Sequence, residues 1–403
     1  MPGTFWYLGK SEVGFGVERP LGAAEVTPMD NRATQPPMSL SCGIVGLPNV
    51  GKSTLFNALT SSTAEAANYP FCTIDPNVGM VPVPDDRLDQ ICALIKPNKE
   101  VPTTVEFVDI AGLVAGASKG EGLGNQFLGH IRQVDAIAHI VRCFDDENIT
   151  HVAGKVDPIA DIETIDTELC LADLDLVGKT VLRLGKIARS GDKTAKTELV
   201  VAEKFKAALE DVTPLRSLEL DEEETKLAKL WQFLTSKPVF YVCNVDEDHI
   251  QPDTSNEQLE AVKAFADKQN ALTLRVCAKI EAELAILDAD DKKELLESLE
   301  LEEPGLNGVI RMAYRLLGLI TYFTAGEKEC RAWTIRKGTK APQAAGVIHS
   351  DFERGFIRAE TFHCNDLFEH KSETALKNAG LLRSEGKEYT VVDGDIMNFR
   401  FNV

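Results

Sequence analysis

Gly46-Leu-Pro-Asn-Val-Gly51-Lys52-Ser53-Thr54 is the stretch that decides the fold of this chain, and it fits the pattern G-x-x-x-x-G-K-[ST]. Apolar residues 40–45 before it predict a buried strand, and residues 54–59 after it predict the start of a helix. A glycine-rich turn between a strand and a helix points several backbone N–H groups at one place, at the positive end of the helix dipole. The stretch therefore predicts a phosphate-binding loop.

Two side chains of this loop have expected roles toward a nucleoside triphosphate. Lys52 is expected to reach the β- and γ-phosphates, and the Ser53 hydroxyl is expected to coordinate Mg²⁺. The alternative is a chance match in a surface loop. The predicted strand and helix on either side argue against that alternative, because this motif acts only between those two elements.

Composition limits the classes of protein to consider. The 403 residues suggest roughly two or three domains. The net charge of −20 opposes binding to nucleic acid by the whole surface, so DNA is not expected and an RNA contact would need a local basic patch. The 9 cysteines include no C-x-x-C pair, which favours reduced thiols in a cytosolic protein over zinc or a disulfide framework. No run reaches about 18 apolar residues, so we expect no membrane span.

The order of strand and helix patterns along the sequence predicts the order of the domains. Strands and helices alternate over 40–150, which is typical of a parallel sheet with helices on both faces. Helical patterns at 161–188 and 193–209 then predict a hairpin, and the strand pattern resumes at 238. Residues 1–37 are predicted to be a disordered extension or an upstream start, with a transit peptide as a weaker alternative. Residues 38–317 are predicted to form an α/β domain with a helical insertion at about 158–236. Residues 318–403 are predicted to form a mixed α+β domain.

The last domain is predicted in more detail from its apolar runs. Strands are expected at 330–335, 355–362, 389–392 and 397–401, with a helix near 344–353. Asp393-Gly394 is expected to form the turn between the last two strands.

Two further motifs fall in the order that a Ras-type site needs. Thr73 follows the first predicted helix, where a hydroxyl can complete Mg²⁺ coordination only when a γ-phosphate is present, so its loop is a predicted switch. Asp109-Ile-Ala-Gly112 follows a predicted strand and fits D-x-x-G. Asp109 is expected to hold Mg²⁺ through water, and the Gly112 N–H is expected to meet the γ-phosphate.

Leu113 stands where Ras-like enzymes carry the glutamine that orients the attacking water. Leucine cannot hydrogen-bond that water, so hydrolysis must use a cation, the backbone, another side chain or a partner. His151 and His130 are candidates, each with a structural role as the alternative. Asn49 could instead help to hold a monovalent cation such as K⁺ beside the phosphates.

The segment Asn244-Val245-Asp246-Glu247 departs from the guanine-reading motif N-K-x-D. Glutamate is one methylene longer than the aspartate that accepts two hydrogen bonds from guanine, so its carboxylate is displaced. Loss of a paired buried contact can cost several orders of magnitude in discrimination. We therefore expect ATP to bind at least as well as GTP. Cys277-Ala278-Lys279 resembles the S-A-K loop that also contacts the base.

Taken together, these residues resemble the Obg-like ATPase family, also called YchF, over about 38–403. The resemblance also rests on Asn68–Thr73, Gly116–Phe127, Thr321–Ala325, Arg331–Thr334 and Ala341–Gly346. It implies a Ras-like P-loop fold with a mostly parallel sheet, an inserted coiled-coil hairpin and a C-terminal ubiquitin-like β-grasp (TGS) domain.

The resemblance also assigns residues to roles. Asn49, Val50, Gly51, Lys52, Ser53 and Thr54 would hold the phosphates, Ser53 and Thr73 the Mg²⁺, and Asn244, Val245 and Glu247 would flank the base. The candidate catalytic residues are Lys52, Asp109, Gly112 and His151.

The function that the resemblance implies is a Mg²⁺-dependent ATPase that binds the ribosome through contacts with the large subunit or the whole particle. Local basic groups are compatible with such contacts, and one of them lines a face of the hairpin: Lys179, Arg183, Lys186 and Arg189. The alternative for these four residues is that cations near the C-terminus of a helix suit its dipole. We expect a cytoplasmic monomer. The alternatives are an Obg-type GTPase in ribosome assembly and an adaptor that uses bound nucleotide structurally.

Overall fold

The computed structural model describes residues 40–61, 77–110, 123–152 and 154–402. The predicted extension at 1–37 lies outside the described residues, as do Thr73, Gly112 and Leu113. Within the described residues, none of the helices is both long enough and apolar enough to cross a membrane.

The strands and helices are numbered along the chain. The strands are β1 (Ser41–Val45), β2 (Val78–Pro82), β3 (Glu100–Val101), β4 (Thr104–Asp109), β5 (Ala136–Arg142), β6 (Val239–Asn244), β7 (Leu272–Val276), β8 (Leu319–Ala325), β9 (Cys330–Arg336), β10 (Phe356–His363), β11 (Arg383–Glu385) and β12 (Asp395–Phe401). The helices are α1 (Lys52–Ser61), α2 (Asp86–Ile95), α3 (Leu123–Gln133), α4 (Pro158–Arg189), α5 (Lys193–Glu210), α6 (Glu222–Leu230), α7 (Glu257–Lys268), α8 (Ala278–Leu284), α9 (Ala289–Ser298), α10 (Gly305–Leu316), α11 (Ala341–Ile348), α12 (Ser350–Arg354), α13 (Cys364–His370) and α14 (Glu373–Asn378).

The central sheet has the strand order β2-β4-β1-β5-β6-β7. Its neighbouring strands run parallel, except that β2 is antiparallel to β4. Every residue of β1, β5 and β6 is buried, which explains why these strands are mostly apolar along their length rather than alternating. The predicted α/β fold with a mostly parallel sheet is confirmed.

The helical insertion consists of α4 and α5, which pack side by side around a core of their own that includes Val177, Leu184 and Phe205. Each helix begins at an aspartate cap: the Asp157 carboxylate accepts a hydrogen bond from the Ala160 N–H, and that of Asp192 accepts one from the Ala195 N–H. These caps and the turn between the helices confirm the predicted hairpin.

The base of the hairpin is fixed to the central domain by a buried carboxylate. Asp173 on α4 accepts hydrogen bonds from the N–H groups of Leu234 and Thr235, at 3.0 and 2.8 Å, and from the Thr235 hydroxyl at 2.7 Å. These residues lie in the segment that leads into β6. The long insertion is therefore held to the sheet by a specific polar contact in addition to apolar packing.

The C-terminal sheet has the order β11-β10-β12-β8-β9-β3. Its edge strand β3 comes from a distant part of the chain and pairs in parallel with β9. The preceding helix α2 buries Leu88 and Ile91 in the same core as Phe323. The domain boundary at 318 stays a prediction. Residues 86–101 precede that boundary in the sequence, but they pack against the C-terminal sheet.

Two local predictions in this domain are wrong. Residues 389–392 form only an isolated bridge, from Thr390 to Lys340, because the partner segment becomes helix α11 at Ala341 and offers no further strand to pair with. The single helix predicted near 344–353 is two helices, α11 and α12. His349 separates them with an extended backbone, and its ring accepts a hydrogen bond from the Asp351 N–H.

Candidate nucleotide-binding site

The phosphate loop joins the carboxyl end of β1 to the start of α1 and needs glycine at two positions. A Cβ at Gly46 would lie 2.6 Å from the Ile140 carbonyl oxygen. Gly51 has φ +99, and a Cβ there would lie 2.5 Å from Asn244 Nδ2. The tight turn that presents backbone N–H groups to phosphate therefore depends on close packing against neighbouring strands.

Lys52 lies within the loop that it is predicted to serve. Its side chain is buried, and Nζ donates a hydrogen bond to the Leu47 carbonyl oxygen at 2.8 Å. Burial lowers the pKa of Lys52, and the nearby Asp109 carboxylate partly offsets that effect. The cation is thus already held beside the phosphate-binding turn, at a low cost in reorganisation.

Asp109, the last residue of β4, lies next to the loop. Burial raises the pKa of Asp109, while Lys52 and a hydrogen bond from the Ser53 hydroxyl favour its charged form. Its Oδ1 is buried and has no hydrogen-bond partner among the described residues. A buried carboxylate oxygen without a partner, beside a serine hydroxyl, fits the oxygen ligands that Mg²⁺ prefers.

Asn244, the last residue of β6, joins the phosphate loop to the predicted base-contacting loop. Its Nδ2 donates to the Val50 carbonyl at 2.9 Å, and its Oδ1 accepts from the Ala278 N–H at 2.9 Å. Val245 beside it is buried and contributes to the apolar core. Because β1 and β6 are parallel strands of one sheet, their carboxyl ends meet at the same edge, and one buried amide can hold both loops.

Glu247 and Lys279 form an ion pair across the two predicted base-contacting segments. Both side chains are largely exposed, at 49% and 71%. The hydrogen bond that Lys279 donates to the Glu247 carboxylate raises the pKa of Lys279. The Glu247 carboxylate therefore has a cationic partner in this structure, whereas the guanine-reading motif would direct an aspartate at the base.

Arg142 is a residue of the site that sequence reasoning missed. It ends β5, is only 1% exposed, and donates to the carbonyl oxygens of Phe144, Asp146 and Ile149. The loop that it braces reaches the phosphate loop, because Asn49 Nδ2 donates to the Thr150 carbonyl at 3.1 Å. An arginine at the end of a mostly apolar, fully buried strand was the available signal, since buried arginines are rare unless partnered.

The two candidate histidines lie in different surroundings. His151 is buried, and its Nε2 lies 3.0 Å from Asp161 Oδ2 on α4, which agrees with the structural alternative for this residue. His130 is exposed on α3. The structure thus brings together Asn49–Thr54, Asp109, Asn244 and Glu247, and the catalytic role of His151 stays a prediction.

Two family models match the chain, one toward each end. Residues 41–173 match a family described as "50S ribosome-binding GTPase". Residues 319–402 match the family of the YchF GTPase C-terminal domain, described as a protein of unknown function. The first match covers the phosphate loop and Asp109.

The fold and the site define a P-loop nucleoside triphosphatase with a Ras-like sheet. Similar proteins include the "Ribosome-binding ATPase YchF" of Bacillus subtilis (strain 168), which is 58% identical over 366 residues, covering 91% of this chain and 100% of that protein. The protein of the same name from Escherichia coli O157:H7 is 57% identical over the same shares. The chain belongs to the YchF family, which confirms the resemblance seen in its motifs.

A solved structure supports the same assignment. The Schizosaccharomyces pombe YchF GTPase is 42% identical to this chain and superimposes with a TM-score of 0.82. The match covers 91% of this chain and 99% of that one. The fold is therefore shared with an experimentally determined member of the family.

Proposed function

We propose that this chain is a Mg²⁺-dependent ATPase whose nucleotide state controls its binding to the ribosome. The observation that carries the proposal is the meeting of Lys52, Ser53 and Asp109 at one end of the sheet, with one buried carboxylate oxygen lacking a partner among the described residues. The relatives named ribosome-binding ATPases, which match along their whole length, support the choice of nucleotide and of partner.

Each residue of the site has a proposed task. Ser53, Thr73 and Asp109 would hold Mg²⁺, which when bound neutralises charge on the β- and γ-phosphates. Lys52 exchanges its bond to the Leu47 carbonyl for the phosphates and stabilises the charge that develops on the transferred group. Asn244 keeps the phosphate loop and the base-contacting loop in fixed relation.

Hydrolysis by the isolated chain is proposed to be slow. Leu113 cannot orient water, so an activating group must come from elsewhere, and the ribosome is the proposed source. Asn49 is proposed to help hold K⁺ beside the phosphates, and equal rates of hydrolysis in K⁺ and Na⁺ would rule this out. His151 is proposed only as a secondary candidate, because its ring already faces Asp161.

ATP is proposed to bind at least as well as GTP. The ion pair of Glu247 with Lys279 supports this, because it engages the carboxylate that would otherwise face guanine. Glu247→Asp should therefore raise affinity for GTP relative to ATP by about tenfold. Glu283→Asp on α8 is the control, and an unchanged nucleotide ratio in Glu247→Asp would contradict this account of base selection.

Contacts with the ribosome are proposed to use basic side chains on the hairpin. Lys179, Arg183 and Lys186 lie on α4, and Lys179 Nζ is 2.7 Å from Asp175 Oδ2. Such a local basic surface can approach ribosomal RNA in spite of the net negative charge. The chain is proposed to act as a monomer in the cytoplasm, where ribosomes are found.

The experiment that tests the proposal measures hydrolysis of ATP and GTP with and without ribosomes, and co-sedimentation with ribosomes in each nucleotide state. We expect ribosomes to accelerate ATP hydrolysis and nucleotide state to change co-sedimentation. The second candidate, an Obg-type GTPase, is favoured by the S. pombe relative, which is named a GTPase. Strong GTP binding without ATP binding would favour it. Unchanged partner binding by Lys52→Ala would favour the adaptor.

A further inference from the structure

The phosphate loop contains a residue other than glycine whose backbone is left-handed. Asn49 has φ +64, and Gly51, two residues later, has φ +99. Residues with a positive φ in a tight turn direct successive backbone N–H groups toward one point, which suits an anion. Glycine adopts such a φ freely, whereas a residue with a Cβ does so at a conformational cost that is smallest for asparagine and aspartate. The shape of the turn that receives phosphate therefore depends on what holds Asn49.

Asn49 is held by a loop from a distant part of the chain. Its Nδ2 donates a hydrogen bond to the Thr150 carbonyl oxygen at 3.1 Å. Asn49 itself is exposed. A single hydrogen bond at an exposed position stabilises a conformation only when its acceptor is already fixed, because ordering both partners costs entropy. The contribution of this bond therefore depends on how firmly the Thr150 carbonyl is positioned.

Arg142 fixes the middle of the loop 143–150 that carries this carbonyl. Each nitrogen of its buried guanidinium donates to a backbone carbonyl of the loop: Nε to Phe144 at 3.1 Å, Nη2 to Asp146 at 3.2 Å and Nη1 to Ile149 at 2.9 Å. The guanidinium also lies 4.7 Å from the centre of the Phe144 ring. The rigid planar fork of arginine suits several acceptors at once. One side chain therefore sets the path of the loop up to the residue before Thr150.

The two ends of the same loop are anchored separately. At its start, the Cys143 carbonyl accepts a hydrogen bond from Asn256 Nδ2 at 2.9 Å. Just after its end, His151 Nε2 lies 3.0 Å from Asp161 Oδ2 on α4. These contacts fix where the loop begins and ends, whereas Arg142 bonds the carbonyls between them. Loss of Arg142 should therefore loosen the segment next to the phosphate loop while the ends of the loop stay attached.

We propose that Arg142 is a positioning residue of the nucleotide site. It acts through the loop 143–150 and the hydrogen bond from Asn49 to Thr150, and so it holds the left-handed turn that receives the phosphates. It reaches the nucleotide only through these other residues, so it is not a catalytic residue. The proposal rests on the proposed nucleotide binding at the phosphate loop, but not on hydrolysis, on the ribosome or on the choice between ATP and GTP.

The test measures binding of non-hydrolysable ATP and GTP analogues to the full chain by calorimetry, with Mg²⁺ and in a buffer free of K⁺. Arg142→Gln should weaken binding of both analogues by the same factor, about threefold to tenfold, because the phosphates are common to both. A loss confined to one analogue would assign the effect to the base and overturn the proposal.

Arg275→Gln is the matched control for this substitution. Arg275 Nη1 donates to the His249 carbonyl at 2.9 Å and to the Thr254 hydroxyl at 3.0 Å, so it also braces a loop. Among the described residues, no hydrogen bond joins that loop to the phosphate loop. Arg275→Gln should therefore bind both analogues as the original chain does. A loss as large as in Arg142→Gln would show that any braced loop matters equally, and would contradict a specific role for Arg142.

A second variant tests whether Arg142 acts through Asn49. Asn49→Gly removes the bond to the distant loop but keeps a residue that can adopt a positive φ, and it should also weaken both analogues by about threefold to tenfold. Asn270→Gly is its control, because Asn270 has φ +52 in an exposed turn away from the site. The double variant should bind no more weakly than Arg142→Gln alone, since the bond between the loops is already lost.

Additive losses in the double variant would mean that Arg142 acts by another route, and would overturn the proposal. Full affinity in Asn49→Gly would overturn it even if Arg142→Gln failed to fold. A chain that binds both analogues but neither hydrolyses ATP nor binds ribosomes would fail the proposed function and leave this test intact. An original chain that binds neither analogue would overturn both proposals.

Discussion

The central sheet and the C-terminal sheet each contain six strands, but they use a buried aspartate in different ways. Asp109, at the end of β4, keeps one buried oxygen without a hydrogen-bond partner among the described residues. Asp395, at the start of β12, is fully buried and accepts hydrogen bonds from the Tyr389 hydroxyl at 2.7 Å and from the Val392 N–H at 2.9 Å.

This difference distinguishes a carboxylate in a binding site from a carboxylate with a structural role. Burial of a carboxylate is costly, and the C-terminal sheet offsets that cost with local donors. In the central sheet, the cost of burying the Asp109 carboxylate is only partly offset by local donors. A ligand that binds at this edge, where the parallel strands end, can offset the rest. The unsatisfied Asp109 oxygen, together with the neighbouring Lys52 and the Ser53 hydroxyl, therefore marks the functional edge.

The largest expected effect is the loss of hydrolysis in Lys52→Ala. The cation is positioned inside the phosphate loop, so its removal should lower kcat for ATP by about 10²–10³-fold. Lys340→Ala, which removes an exposed lysine of the C-terminal domain, should leave kcat unchanged. Phosphate release measures kcat. A similar loss of kcat in both variants would contradict the difference in function between the two sheets.

Ile91→Ala should show that α2 belongs energetically to the C-terminal sheet. Ile91 is fully buried in that core, so truncation should lower the free energy of unfolding by about 2–5 kcal/mol. Amide hydrogen exchange should accelerate first in β8 and β9. Ile286→Ala is the control, because that side chain is 81% exposed. Faster exchange confined to the central sheet would show that α2 is stabilised by that sheet instead.

Asn244→Ala should weaken nucleotide binding without unfolding the chain. It removes two buried hydrogen bonds between the phosphate loop and the base-contacting loop, which should cost about tenfold to a hundredfold in affinity. Calorimetry with an ATP analogue measures the change. Asn398→Ala on the C-terminal sheet makes the same substitution at an exposed site and should bind as the original chain does. Unchanged affinity in Asn244→Ala would mean that the two loops hold their positions without this amide.

The smallest expected effect concerns pH and the C-terminal sheet. The hydrogen bond from Arg400 lowers the pKa of Glu360 below its ordinary value of 4.5. A lowered folded-state pKa means that the pair contributes stability above the unfolded pKa, and that the contribution is lost as the pH falls through the folded pKa. Arg400→Gln should raise the pKa of Glu360 toward 4.5, as followed by NMR titration, and should change stability only slightly because the pair is largely solvated. Lys371→Gln is the control and should not change the pKa of Glu360. If the pKa of Glu360 also stays unchanged in Arg400→Gln, another cation lowers it.

Much of the nucleotide site could be predicted because its motifs are local. Nine consecutive residues build the phosphate loop, and the strand and helix on either side of it follow from apolar patterns. Asn244 could be found for the same reason, since it directly follows an apolar strand pattern. Arg142 and the bond from Asn49 to Thr150 could not, because they depend on where a loop about 100 residues away is packed.

The C-terminal sheet was harder to predict for a related physical reason. Strand β11 has three residues and exposed side chains at Arg383 and Ser384, so it carries almost no periodic signal. Residues 389–392 have the apolar composition of a strand and therefore predict one wrongly. The partner segment decided the outcome, since it becomes helix α11 directly after Lys340 and pairing stops at one bridge.

By itself, the sequence determined the phosphate loop, the hairpin and the departure from the guanine-reading motif, because each depends on residues adjacent in the chain. Only the tertiary structure decided that β3 joins the C-terminal sheet and that Glu247 pairs with Lys279. These features require segments far apart in sequence to be packed together. Local propensity carries no information about such contacts, because they form only when the whole core is assembled.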